Sequence, residues 1–264
     1  MQPTFFINHG GGPCFFLDPG PVRAAWSELE NYLRGFSETL EERPRAVLVV
    51  SSHWEEALPT VNAAAAPTLF FDYGGFPEHT YQLTWPASGD PALAAQVRDL
   101  LDRAGIESSA DTTRGWDHGV FVPLKIIFPD AGIPTVQLSL QQGLDPAVHL
   151  AIGHALAPLR KGGVLIVGSG QSYHNMRGFM GRGGHADPAA EAFDVWLREV
   201  MADGITRDRA LIAWEQAPGA RQAQPHEDHL LPLMVAAGAA SGEPGRTVFH
   251  GHVLGKPISS FRFG

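Results

Sequence analysis

Two stretches of the chain are apolar without interruption. Residues 46–50, inside Arg45-Ala-Val-Leu-Val-Val-Ser-Ser-His53-Trp54, have no polar alternate position, and neither do residues 163–168 (GVLIVG). A strand with no polar face belongs in the middle of a sheet covered on both sides. Shorter strand-like runs cover residues 4–8, 60–64, 106–110, 133–140 and 247–254. Helical spacing of apolar residues marks 21–34, where Gly35 acts as a stop, and 90–104, 145–159, 188–200, 207–216 and 230–240. Asp90-Pro91 and Asp145-Pro146 read as helix starts. Residues 115–125 read as a turn leading into an apolar helix, and residues 69–86, rich in aromatics, as a long loop walling a pocket. The tail 259–264 receives no element. Strands alternate with helices, and no repeat or Pro/Gly/Ser linker divides the chain. The pattern therefore predicts a single α/β domain over residues 1–264, with a central, mostly parallel or mixed sheet flanked by helices. Its active site is expected just past the strand carboxyl ends.

Composition narrows the function classes. With 264 residues, 44% of them hydrophobic, the chain suits one large α/β domain or two small ones. A formal net charge of −9 argues against nucleic acid, whose phosphates need clustered Lys and Arg. Cys14 is the one cysteine, so no intrachain disulfide can form. The start, Met-Gln-Pro-Thr-Phe-Phe-Ile-Asn-His, lacks a basic region followed by a long apolar one. No apolar run approaches the roughly 20 residues of a spanning helix. A cytoplasmic protein with no membrane partner is expected. No stripe diagnoses an oligomer, and a homodimer stays open.

The unusual count is twelve histidines. His9 follows a strand and precedes three glycines, which allow close backbone approach to a ligand. It reads as a metal ligand or anion contact, against a plain turn histidine. His53 follows the first buried run; a metal with an acceptor behind it is one way to occupy both nitrogens of a buried imidazole. His118, in Gly-Trp-Asp-His-Gly, is either part of a helix cap or a substrate contact. His174 follows the glycine-flanked Gly168-Ser-Gly-Gln-Ser-Tyr and could act as an acid/base; the spacing is wrong for a Gly-x-Ser-x-Gly nucleophile elbow. His226 and His229 sit three apart near a helix start, with Glu227 and Asp228 as further possible ligands. His79, His149, His154, His185, His250 and His252 read as surface or structural.

Seven motifs in order resemble the class III extradiol ring-cleaving dioxygenases, in particular the DOPA-dioxygenase-type branch. They are His9-Gly-Gly-Gly-Pro, Ser51-Ser-His53-Trp54, Asp72-Tyr-Gly-Gly-Phe-Pro77, Gly115-Trp-Asp-His118-Gly, Pro134-Thr-Val-Gln-Leu-Ser139, Gly168-Ser-Gly170 with His174-Asn175, and Asp228-His229-Leu-Leu-Pro-Leu233. The resemblance implies a mononuclear non-haem Fe(II), often found replaced by Zn(II), on His9, His53 and His229. It implies His174 as acid/base, His118 as a catalytic and substrate-contacting residue, and a catecholic substrate cleaved with O2. Phe71 and Tyr73, on the aromatic loop, are expected to sandwich the substrate ring. The chain departs from the branch in an extra glycine after His9 and in Gln224-Pro225 followed by an added His226, which bears on substrate choice. Two rival readings accompany this one. The first is a zinc hydrolase using the same three histidines to activate water. The second is a non-enzymatic metal-binding member of the same superfamily.

Overall fold

The structure, a computed structural model, describes residues 1–181 and 187–264. Eight strands form one mixed sheet: β1 (Thr4–Asn8), β2 (Ala46–Glu56), β3 (Thr60–Asn62), β4 (Ser109–Asp111), β5 (Thr135–Gln141), β6 (Val164–Gly170), β7 (Gly245–Val253) and β8 (Lys256–Phe263). Their order is β4-β3-β5-β2-β6-β1-β8-β7. The four central strands β5, β2, β6 and β1 run parallel; β8 joins β1 antiparallel, and β3 joins β5 antiparallel. The α/β class and mixed sheet expected from the sequence are therefore present. No helix among the described residues is long and apolar enough to cross a membrane.

The helices are α1 (Pro21–Ala24), α2 (Ser27–Gly35), α3 (Pro91–Arg103), α4 (His118–Ile127), α5 (Pro146–Leu156), α6 (Met176–Met180), α7 (Pro188–Ala202), α8 (Arg207–Ile212), α9 (Ala220–Ala223) and α10 (Leu231–Ala239). Alternation along β6 shows which helix covers which face. The hydroxyl of Ser169 reaches the Gly119 carbonyl in α4. Its neighbours Gly168 and Gly170 face the other way; a Cβ on them would stand 2.2 Å from Pro232 O and 2.1 Å from His229 O. Successive residues of a strand point to opposite faces, so α4 and α10 lie on opposite sides of the sheet. α10 is backed by α5, and α4 by α2. Residues 46–50 and 164–168 of the two central apolar runs are buried throughout.

Several elements differ from the sequence reading. The first buried strand does not stop before His53 but runs on to Glu56, with its register to β5 shifting between Val50 and Glu55. The helix expected over 21–34 is split in two at Trp26, whose φ of −100° and ψ of 0° are not helical. The tail assigned no element is a buried strand, β8, paired on both sides. The strand expected over 106–110 is displaced to β4. The glycines flanking Ser169 admit the polypeptide of residues 229–232 rather than a ligand.

Candidate active site

β2, β6 and β1 are neighbours in the sheet, and their carboxyl ends form the floor of the site. His9 is the first residue after β1, and its N–H donates to Gly170 O at 3.1 Å. His53 lies in β2 where pairing to β5 is interrupted, so its side chain is released from the regular ladder. It shares the α4 face with Ser51; a Cβ on Gly119 would be 3.1 Å from the His53 ring. His229 is delivered from the other side. His229 presses onto Gly170 of β6 and the first turn of α10 onto Gly168, and Gln171 N–H donates to His229 O at 3.0 Å.

These three histidines converge. His9 Nε2 stands 3.1 Å from His53 Nε2, and His229 Nε2 stands 3.2 Å from it. Burial holds His9 and His53 well below the usual imidazole range, and the positive charge that His118 would carry pushes the same way. Burial also lowers His229, against the pull of Asp228. Neutral imidazoles carry one N–H each, so His53 Nε2 cannot complement both neighbours at once; lone pairs face one another. A cation between them removes that conflict. One divalent ion between them would be held by all three nitrogens. The donor set therefore fits a divalent metal.

The sequence explains how His9 is oriented. Pro123 inside α4 has no N–H to give the Gly119 carbonyl four residues back. The Ser169 hydroxyl donates to that carbonyl instead, and its oxygen lies 3.3 Å from His9 Nδ1. With its proton committed to Gly119, Ser169 Oγ accepts from His9 Nδ1–H, and His9 Nε2 is left as the unprotonated nitrogen. On His229, Asp228 Oδ1 accepts from the backbone N–H at 2.8 Å and lies 3.1 Å from Nδ1. Burial would raise the Asp228 carboxyl, but the hydrogen bond and charge of His229 outweigh it and hold the group below the usual carboxylate range.

A buried network underlies the floor. Asp117 accepts from Ser51 Oγ at 2.7 Å, from Arg114 Nη2 at 3.2 Å and from Gln137 Nε2. Arg114 also donates to His53 O at 3.1 Å and lies over the Trp54 ring at 4.6 Å. Burial, then the nearby Asp72, raise the Asp117 carboxyl.

Above the three histidines is a cavity of about 370 Å³. His118, Tyr73 and His174 line it, as the sequence suggested, and so do Gly10 to Gly12, Phe76, Trp26, Phe179, Met176, Met180, Gln171 and Leu254. Gly12 (φ +52°) has no room for a Cβ, which would sit 2.9 Å from the Phe76 ring. Phe71 does not line the cavity. It packs behind the wall, 5.9 Å from Tyr73 and 5.6 Å from Phe121 between ring centroids, and Phe76 takes the position expected of it. His174 stacks on His229, with centroids 3.3 Å apart and planes at 17°. Burial, followed by His229, lowers His174 to about 3.

The remaining histidines separate by environment. His149 is fully buried and satisfied, with Nδ1 at 2.8 Å from Asp145 O and Nε2 accepting from Gln141 N–H at 3.1 Å. His226 is exposed, 3.3 Å from Asp228, and outside the cavity lining. His79, His154, His250 and His252 are partly or largely exposed. His185 lies outside the described residues. Gln171 and the α6 side chains went unnoticed in the sequence: α6 is too short to show a period, and Gln171 stood within a quoted glycine motif without a role of its own.

Residues 3–259 match the family model of the catalytic LigB subunit of aromatic ring-opening dioxygenase. The 4,5-DOPA dioxygenase extradiol of Beta vulgaris is 37% identical over 253 residues, covering 95% of this chain and 91% of that protein. The Escherichia coli K12 protein of the same name is 33% identical over 94% of this chain and 88% of its own. A dioxygenase of Hapsidospora irregularis is 36% identical over the whole chain and 86% of its own length. Among solved structures, an uncharacterized protein of Escherichia coli K12 superposes with a TM-score of 0.80 at 30% identity, over the full length of both chains.

Proposed function

The chain belongs to the family of the catalytic LigB subunit of aromatic ring-opening dioxygenases, class III extradiol enzymes, and from that premise we propose that it opens the ring of a catechol-type substrate with O2, using Fe(II) held by His9, His53 and His229. The whole chain, residues 1–264, acts as one catalytic domain. The observation that carries this reading is the convergence of three imidazole Nε2 atoms at the base of a cavity walled by aromatic side chains.

When bound, the metal supplies a common point for the substrate oxygens and O2 and a path for electrons between them, which overcomes the spin barrier to direct attack. Three neutral histidines add no negative charge there, so the site favours a catecholate. Zn(II) would occupy the same donors without redox chemistry.

The protein's own groups do the rest. His174 lines the cavity beside the three donors, in place to accept the phenolic proton and later return it. Its stacking on His229 fixes the ring plane. His118 presents its remaining nitrogen to a substrate oxygen from the opposite wall. Tyr73, Phe76, Trp26 and Phe179 grip the ring and exclude water. The zinc-hydrolase alternative would use the same three donors to activate water, and it differs in needing no O2.

The test is to load apoprotein with Fe(II) anaerobically, mix it with a panel of catechols including DOPA and caffeate, and admit air. Oxygen uptake with a yellow ring-opened product is expected for at least one. No uptake across the panel overturns the proposal. His174→Ala is expected to lose turnover while retaining the metal; loss of metal would make His174 a ligand.

A further inference from the structure

One carboxylate outside the proposed ligand set touches both sides of the site. Asp72 stands on the aromatic loop, next to Tyr73. Its Oδ1 accepts from the backbone N–H of His118 at 2.9 Å and lies 2.9 Å from His118 Nδ1. Its Oδ2 lies 3.8 Å from His53 Nδ1. The rings of His53 and His118 are 3.8 Å apart between centroids, tilted by 42°. The loop that carries Asp72 is bolted to the segment before His118: Phe70 N–H donates to Trp116 O at 2.7 Å, and Trp116 N–H to Thr68 O at 2.8 Å. Asp72 is thus held both by the backbone of its loop and by its side-chain contacts to His118.

We infer that Asp72 is a positioning residue that fixes the orientation and tautomer of His118 and braces His53 from behind. A carboxylate can only accept, so His118 Nδ1 must carry the proton that faces it. In the neutral ring Nε2 is then the bare nitrogen, on a side chain that lines the cavity. That makes His118 an acceptor for a substrate hydroxyl. The same carboxylate stands 3.8 Å from His53 Nδ1, beyond hydrogen-bond reach, so its negative charge rather than a shared proton backs the ring whose Nε2 faces His9 and His229. Asp72 also supplies the acceptor for the first N–H of α4, because Asp117, the residue at the cap position, makes no side-chain cap bond. Through one residue the aromatic wall, the substrate-facing His118 and the donor His53 move together.

The role assigned to His118 rests on the dioxygenase reading, so the test includes measurements that need no turnover. In zinc-loaded wild-type protein, long-range proton–nitrogen correlation of the histidine rings is expected to show His118 protonated on Nδ1; a ring protonated on Nε2 overturns the inference without any variant. Asp72→Ala is expected to shift His118 to the Nε2–H form. It should also lower metal affinity, read by chelator competition, and kcat by about 10- to 100-fold each, with KM changed less. Asp72→Asn keeps an acceptor oxygen and is expected to restore the Nδ1–H form and most of the loss in kcat. A purely structural cap would lower the melting temperature of Asp72→Ala and leave the tautomer, and the metal affinity of the folded protein, unchanged; that result overturns the inference. If the wild type takes up no oxygen with any catechol, the dioxygenase reading fails, while the ring and affinity measurements still decide the role of Asp72.

Discussion

Ser169 shows how a single hydroxyl is drafted by a missing donor elsewhere. Because Pro123 leaves the Gly119 carbonyl open, Ser169 must give its proton there and can only accept from His9. Ser169→Ala is expected to cost about 1–3 kcal/mol of stability through the unpaired carbonyl. It should also weaken metal binding by about 10- to 100-fold through the loosened imidazole. Denaturant melts and chelator competition on the same sample check both; unchanged metal affinity would mean His9 is held by burial alone. The three converging histidines were visible in the sequence because each adjoins glycines or a buried apolar run. Ser169, Asp72 and Gln171 were not, since their roles depend on partners far away in the chain. Phe71 and Phe76 could not be told apart, because which face of an irregular loop turns inward has no periodic signature.

At the scale of elements, the central apolar runs announced β2 and β6, and the Asp-Pro pairs announced the starts of α3 and α5. β8 stayed hidden because its buried positions include serines. Ser259 Oγ donates to Asp194 at 2.6 Å, and Ser260 Oγ accepts from Asn8 Nδ2 at 3.0 Å. Buried hydroxyls with dedicated partners erase the hydrophobic alternation that marks a strand. Gly168 illustrates packing between elements. Gly168→Ala drives a Cβ into the Pro232 carbonyl, so α10 must shift, at about 1–3 kcal/mol, and His229 shifts with it. Gly162→Ala meets nothing within 4 Å and should stay within about 0.5 kcal/mol of wild type. Equal melts for the two variants would refute the close approach. His149 joins α5 to β5 only as the neutral imidazole, and burial lowers it from 6.5 to about 4. The unfolded chain therefore binds the proton first as pH falls. This contribution, about 3 kcal/mol, is complete above pH 6.5 and is lost between about 6.5 and 4. The urea midpoint should fall across that window in wild type and less steeply in His149→Gln.

For the whole molecule, the strand order decides where chemistry can occur. Only β6 separates β2 from β1, so His53 and His9, 44 residues apart in sequence, meet across one strand at 3.1 Å. The glycines of β6 let residue 229 close over them from the other helix layer. β8 seals the open side of β1, so a chain ending at Gly255 would expose the central parallel strands and is expected to be insoluble; a soluble, metal-binding truncation would contradict the account. The central claim is that this geometry opens aromatic rings with molecular oxygen. It is tested most directly by turning over a catechol under heavy-oxygen-labelled O2 and trapping the product at once for mass spectrometry. The account predicts a ring-opened product carrying both labelled atoms. An intact quinone, or a product without label from O2, would contradict it.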